Sequence, residues 1–278
     1  MDQREPREAF AESAFSGLAA PLVDEAIEQA NAVASAPSPE GLHQFRLTMR
    51  YLRSLWWSYR PLLDVGENTR QRGLFKSLAD AAAKARNYDV LIALLNLQCR
   101  DARERPQGTL KAQQAALNAG CDVLSSPEMK ILLLKALSQT SKALVARRDR
   151  QSLQAFPETR VAGSGKWLSK RMKLAGRAKR SDVSAFHDVR KGGRKARYLL
   201  ELFGPVLSGG HQKTLNRLKK MQKRCCSLNN IVASEMLLRD NSTLLAVIGE
   251  PKRALEWLKK KRKRHMRAVA ALLRKDGK

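Results

Sequence analysis

The sequence predicts an all-α protein, arranged as two antiparallel four-helix bundles side by side, and three observations carry that prediction. Apolar residues recur at three-and-four spacing through most of the 278 residues, and no segment shows convincing period-two alternation. Leu and Ala dominate, aromatics make up only 5%, and Pro and Gly sit mostly between the periodic segments. One helical pattern also occurs twice, 144 residues apart. His43, Arg46, Arg50 and Arg53 recur as His187, Arg190, Arg194 and Arg197, while Phe45, Trp56 and Tyr59 recur in step as Val189, Leu200 and Phe203. The spacing predicts an internal duplication.

The elements follow in order. Residues 8–34 form an amphipathic helix that ends in the breakers around Pro37 and Pro39. Ser38 followed by Pro39 reads as an N-cap with Pro at the first helical position, opening the first motif helix over residues 40–63. A long helix is expected over 69–100, a break at Pro106-Gln107-Gly108, a helix over 109–124, and another, capped by Ser126-Pro127, to residue 150. Residues 150–164, with Pro157 and Gly163, read as a linker between halves. The second half repeats the plan: a short basic helix over 166–177, the second motif helix over 184–206, a turn at Ser208-Gly209-Gly210, a long helix over 211–238, a break near Asp240, and a last helix from Pro251 to 274. The expected organisation is one domain, 1–278, with halves 1–155 and 156–278 of four principal helices each.

Charge narrows the partners. The net charge is +27 and the isoelectric point about 10.6, so the natural ligand is a polyanion. Residues 1–40 carry a net of −6 and the remainder +33, which argues against a basic N-terminal arm for DNA and against a signal peptide. No apolar run approaches the roughly 20 residues a membrane span needs. The expectation is a cytoplasmic protein without membrane insertion. Cys99, Cys121, Cys225 and Cys226 contain no C-x-x-C pair; Cys225 and Cys226 read as one core thiol and one half-exposed thiol, and no metal site is expected.

The repeated pattern is a row of positive charge. At about 100° per residue, offsets of 3, 7 and 10 hold four side chains within roughly 80° of arc. The apolar set Leu42, Phe45, Met49, Leu52, Trp56 and Tyr59 lies one residue earlier and forms its own stripe. Each copy is therefore a helix with one face for the core and an adjoining face for an anion. Arginine suits phosphate because its planar fork donates in pairs and stays charged. Solvation alone does not require the same residue types at the same offsets twice, whereas a pseudo-symmetric anion site does. His43 and His187 lead the rows as candidate phosphate contacts or as structural rings. Lys191 and Lys195 flank the second row. Lys170, Lys173, Arg177 and Arg180 share one face of their helix, and Lys219, Lys220, Lys223 and Arg224 crowd another. The run from Lys259 to Arg264 circles its helix, so only part of it can face one ligand.

Catalytic patterns are missing from the sequence: no phosphate-binding glycine loop, no G-x-S-x-G and no dinucleotide fingerprint. Asp89, in Arg86-Asn87-Tyr88-Asp89-Val90, is expected to make a helix-to-helix hydrogen bond or an ion pair to a motif arginine. No cofactor is expected.

These residues resemble the CHAD family, the conserved-histidine α-helical domain. Pro39-Glu40-Gly41-Leu42-His43-Gln44-Phe45-Arg46, with Arg50 and Leu52-Arg53, is similar to its first signature, and Arg86 to Leu91 to the acidic stretch after it. His187-Asp188-Val189-Arg190-Lys191, then Lys195-Ala196-Arg197-Tyr198 and Glu201, is similar to the second, with Gln222 and Leu228-Asn229 beyond. Asn87 and Asn230 depart from the family's acidic positions, and Gly192-Gly193 interrupts the second motif helix at about 1 kcal/mol each, unless the pair permits close approach. The resemblance implies two pseudo-symmetric bundles around a basic central channel, inorganic polyphosphate as the ligand, targeting to polyphosphate granules, and no catalysis. The implied polyphosphate contacts are the two rows with Lys191, Lys195, Lys170, Lys173, Arg177 and Lys220. The rival expectation is a nonspecific nucleic-acid binder, which stacking aromatics on the basic faces would favour; Trp56, Trp57 and Tyr59 fall mostly on or beside the apolar stripe.

Overall fold

The computed structural model describes residues 10–97, 107–178, 182–246, 248 and 250–276. Among them the fold is all-α, and the one β-type contact is an isolated bridge between Phe10 and Ser152. The helices are α1 (Ala11–Ser35), α2 (Pro39–Tyr59), α3 (Val65–Ala81), α4 (Ala83–Asn96), α5 (Gln107–Ser125), α6 (Pro127–Val145), α7 (Ala155–Arg177), α8 (Val183–Phe203), α9 (Gln212–Arg239), α10 (Ser242–Ala246) and α11 (Pro251–Asp276). Short 3-10 turns follow α2 (Arg60–Leu62) and α8 (Gly204–Val206).

Caps fix the starts of several helices. Ser38 Oγ accepts the Gly41 N–H at 3.1 Å and Ser126 Oγ the Met129 N–H at 3.2 Å, each with Pro at the first helical position. Asp182 accepts the Ser184 and Ala185 N–H groups to start α8. These bonds satisfy amide donors that a helix N-terminus leaves unpaired.

Two boundaries differ from expectation. The single helix expected over 69–100 is two, α3 and α4, meeting at Ala82. No breaker residue marks this joint. The chain there is tightly packed: Ala82 is fully buried, and a Cβ on Gly120 of α5 would lie 3.5 Å from the Ala81 carbonyl oxygen. The expected linker over 150–164 is mostly the start of α7. Pro157 falls in its first turn, where a missing N–H costs nothing. Gly163 and Gly165 continue the helix because Phe156 and Leu168 anchor it in the core, which outweighs about 1 kcal/mol per glycine. The break expected at Pro106 lies outside the described residues, as does Cys99.

Three apolar clusters hold the helices. The largest joins α1, α2, α3, α5 and α6 and takes in Phe156, Leu199 and Phe203 from α7 and α8. Its centre is aromatic: the Phe15 ring stands edge-on to Trp56 and to Tyr59, 4.8 Å away in each case. A second cluster joins α7, α8, α9 and α11. A third joins α4 to α9, α10 and α11. Leu42, Phe45, Met49, Leu52, Trp56 and Tyr59 are all fully buried, so the predicted stripe of α2 is its core face. Cys225 is buried and Cys226 half-buried, as expected.

A polar clip closes the first half of the chain. Glu12, almost fully buried, accepts the Gln151 N–H with both carboxylate oxygens at 3.1 and 3.0 Å. The Ala11 N–H donates to Gln151 O at 2.9 Å, and the Tyr59 hydroxyl to Ala11 O at 2.9 Å. The start of α1 is thus fixed to the connection between α6 and α7.

The glycine pair of α8 has a packing reason. A Cβ on Gly192 would lie 2.6 Å from Trp167 Cζ3, and one on Gly193 would collide with Met221 Cε. The pair makes room on α8 for the side chains of Trp167 from α7 and Met221 from α9, rather than for a close backbone approach.

Candidate anion-binding site

Because α2 and α8 pack on each other, the two arginine rows meet. Arg46 and Arg50 of α2 face Arg190 and Arg194 of α8, all four half-buried. Burial, then repulsion from Arg194 and Arg190, lowers the Arg46 pKa. Burial and then Arg46 push Arg50 down to about 10, and burial with Arg50 and Arg190 does the same to Arg194. With values near 10, Arg50 and Arg194 stay charged at neutral pH. Among the described residues no ion pair joins any of them to a carboxylate, and the Nε atoms of Arg46 and Arg190 are buried without an acceptor. Four cations converge on a space that supplies no countercharge.

The leading histidines sit at the margins of this cluster. Burial and then Arg86 lower the His43 pKa, and its Nδ1 is buried without a partner. Burial and then Arg190 and Lys191 lower the His187 pKa. His187 Nδ1 lies 3.1 Å from Asn229 Oδ1, and an amide oxygen can only accept, so Nδ1 carries the proton and Nε2 is the free nitrogen.

The rows lead into a cavity of about 330 Å³. Arg50, Arg53 and Trp57 of α2 form one wall, and Lys191, Arg194 and Lys195 of α8 the other. Arg72 of α3 and Trp167 of α7 complete it. The one carboxylate in the lining, Asp188, is held by Arg171 Nη1 at 3.1 Å. Lys195 Nζ stands 3.9 Å from the Trp57 ring centroid and 5.3 Å from that of Trp167. Arg160 and Arg60 also lie over Trp57, at 4.6 and 4.8 Å. Burial, then Arg72, Arg60, Arg53 and Arg160, push Lys195 down to about 8.

The opposite edge of the α2–α8 contact is closed. The Tyr51 hydroxyl donates to Glu201 Oε2 at 2.5 Å, and the Tyr51 and Tyr198 rings lie 4.0 Å apart. Arg197 Nε is 3.4 Å from the same carboxylate oxygen and Lys219 Nζ 4.0 Å from the other. Burial and the Glu201 bond raise the Tyr51 pKa.

The structure brings together Arg46, Arg50, Arg53, Arg190, Lys191, Arg194 and Lys195. It gives Arg197 a carboxylate partner. Lys170, Lys173 and Arg177 are exposed on α7, which reaches the cavity through Trp167 instead, and Lys220 is exposed on α9. Arg180 lies outside the described residues. The basic run of α11 divides by face: Arg262 Nε is 3.2 Å from the buried Glu235, while Lys261 stands over the Trp257 ring at 4.1 Å. Asp89 accepts from Gln113 Nε2 of α5 and lies 3.6 Å from Arg86, the expected helix-to-helix contact. Sequence reasoning missed Arg60, Arg72, Arg160 and Trp167, which belong to no repeated pattern. Trp57, expected on or beside the apolar stripe, packs against the edge of the main core and also lines the basic cavity. A larger cavity of about 610 Å³ between Phe186 and α11 contains none of the row residues.

With the paired rows in place, the family is decided by the match of the CHAD domain model to residues 18–239. The chain belongs to the CHAD family. Its fold is similar to the crystal structure of the CHAD domain from the plant Ricinus communis, with a TM-score of 0.80 and 22% identity over 97% of this chain and 93% of that one. It is also similar to PptA from Streptomyces chartreusis, with a TM-score of 0.67 and 12% identity over 96% and 99% of the two chains. No curated protein sequence matches the chain. Among the described residues no helix of this CHAD protein is long and apolar enough to cross a membrane.

Proposed function

We propose that this CHAD protein binds inorganic polyphosphate between α2 and α8, in a basic channel that includes the 330 Å³ cavity, and that it does so without catalysis. The observation that carries this reading is the uncompensated meeting of Arg46, Arg50, Arg190 and Arg194. Burying like charges together is unfavourable unless a ligand supplies the opposite charge. A chain of phosphates does so at a spacing that guanidinium forks can follow. Arg46 to Arg53 spans roughly 10 Å of helix, enough for several successive phosphates. The lining carboxylate, Asp188, is already engaged by Arg171, which leaves no free acid in the cavity to hold a metal or activate water. Binding of this kind would carry the protein to polyphosphate granules in the cytoplasm.

Nonspecific nucleic-acid binding is the second reading, and Trp57 and Trp167 in a basic cavity are the observation in its favour. Against it, Lys195, Arg60 and Arg160 all lie over Trp57, which leaves no clear ring face for a base. The test is competition between long-chain polyphosphate and single- and double-stranded nucleic acids of equal charge at about 0.15 M salt. Polyphosphate is expected to bind more tightly. Equal or tighter binding of single-stranded RNA would transfer the assignment to nucleic acid.

A further inference from the structure

Lys195 differs from the other cations of the site in what it can do chemically. A guanidinium keeps its proton, whereas an amine that loses one becomes a nucleophile. The Lys195 amine is held between two indole rings, 3.9 and 5.3 Å from their centroids. Gly192, three residues earlier on α8, makes this seat possible by leaving room for Trp167. The charged groups facing the amine are Arg53 from α2, Arg60 from the 3-10 turn, Arg72 from α3 and Arg160 from α7, with Lys191, Arg194 and the Arg171-bound Asp188 in the same cavity. The rings favour the ammonium form. Burial and the surrounding guanidiniums oppose it, and the balance near 8 leaves about half of the amines unprotonated at pH 8.

The cavity therefore joins an anion receptor to a free amine. A molecule that is both a phosphoanion and an electrophile meets both. We propose that Lys195 is a site of covalent acylation by acyl phosphates, drawn in through their phosphate group by Arg53, Arg72 and Arg194. The Nζ lone pair attacks the acyl carbonyl carbon and forms an amide C–N bond. The bond from that carbon to the bridging oxygen breaks, and phosphate leaves with the electron pair. The surplus proton on nitrogen passes to the departing phosphate, directly or through water. The arginines stabilise the leaving group as its charge grows. The product amide is neutral, so acylation removes one cation from the site and fills the gap between the indoles. A bound polyphosphate chain opposes the reaction twice, by occupying the cavity and by drawing the amine back to ammonium. Acylation and polyphosphate binding then exclude each other. This inference rests on the reading that the cavity accepts phosphoanions.

The experiment incubates the full-length protein with acetyl phosphate at pH 8 and follows acetylation of each lysine by peptide mass spectrometry. The exposed Lys111, Lys135 and Lys252 serve as references within the same sample. Lys195 is expected to react about tenfold faster than these: a value near 8 against about 10.4 for an ordinary lysine raises the free fraction about 100-fold, and the weaker nucleophilicity of the less basic amine takes back about tenfold. Long-chain polyphosphate should slow Lys195 about tenfold or more relative to the references. Arg72→Gln raises the amine pKa and so slows Lys195 toward any acyl donor, but it should slow the reaction with acetyl phosphate several-fold more than that with a neutral acetyl ester. Reaction of Lys195 at the rate of the reference lysines overturns the proposal. So does fast reaction with the ester but not with acetyl phosphate, or an Arg72→Gln variant slowed equally toward both donors. Selective acetylation by acetyl phosphate in a protein that calorimetry finds unable to bind polyphosphate leaves acylation standing and removes the polyphosphate reading.

Discussion

Two contacts between α2 and α8 use equivalent positions to opposite ends. Tyr51 and Lys195 are 144 residues apart in the sequence, and so are Trp57 and Glu201. Tyr51 meets Glu201 at one edge of the helix pair, and Lys195 meets Trp57 at the other. The first edge is neutralised: a carboxylate accepts a phenol and lies beside Arg197 and Lys219. The second is left open, with a lysine among guanidiniums and a cavity beside it. The comparison teaches that a reciprocal helix pair supplies two like seats, and that two side-chain choices decide which becomes a latch and which a receptor.

The largest expected effect that sharpens this contrast is in salt dependence. With roughly 6–10 phosphates contacted, polyphosphate affinity should fall by about 10³ to 10⁵ between 50 and 200 mM salt. Arg72→Ala at the open edge should reduce the slope of log affinity against log salt by about 1. Glu201→Gln at the closed edge should leave it unaltered. Titrations across salt concentration decide it, and equal slopes for the two variants would erase the distinction between the edges.

Next comes the balance between the helices. Arg50→Ala and Arg194→Ala should each weaken long-chain binding by about 10- to 100-fold, the loss of a charge-assisted hydrogen bond of about 1.5–3 kcal/mol. Circular dichroism should show unchanged helix content, since Ala is a good helix former. A silent substitution on either helix would mean that the two rows do not share one chain.

A smaller effect is expected from opening the latch. Tyr51→Phe removes the bond to Glu201 and should lower the unfolding free energy by about 0.5–1.5 kcal/mol. Polyphosphate affinity should stay within about twofold, because this edge lies away from the cavity. Denaturant midpoints measure the first and calorimetry the second; a large loss of affinity would place the latch in the binding path.

The smallest effect is the pH response of the open edge. Lys195 titrates near 8 in the free protein, and a bound polyanion would raise that value. Affinity should therefore fall as pH rises from 7 to 9, by about tenfold at most. Lys195→Arg should flatten this limb. Stability should move the other way. The unfolded lysine titrates near 10.4, so between about 8 and 10.4 the unfolded chain binds more protons and unfolding free energy rises with pH. His43 and His187, both held below the usual histidine value by burial and then by neighbouring cations, should add affinity as pH falls, because a bound polyanion favours their charged forms.

The residues that repeat were legible in the sequence because a helix face is a local property. The core stripe of α2 and the arginine rows follow from spacing alone. The joint at Ala82 was not legible, since no breaker residue marks it and the residue is buried among other helices. The start of α7 was hidden by Pro157, Gly163 and Gly165, whose local preference is outweighed by the burial of Phe156 and Leu168. Arg72 and Trp167 come to the cavity, and Arg60 and Arg160 to the Trp57 ring beside it, from three other segments, so no pattern in one helix announces them. The place of Trp57 beside the apolar stripe was legible, but the cations over its ring were not, because they come from other segments.

The clip between Glu12 and Gln151 has a consequence for the birth of the chain. The two residues are 139 positions apart. At roughly 5–20 residues per second of synthesis, about 7–28 s pass between the appearance of one and the other. Helix α1 is made before the other described helices, yet its anchor arrives only after α6 is complete. Until α5 and α6 are made, Phe15, Ala19, Val23 and Ala26, all fully buried in the finished fold, have α2 and its neighbours but only part of their final cover. The nascent chain spends those seconds with the apolar stripe of α1 only partly covered, a surface that a holding chaperone can bind.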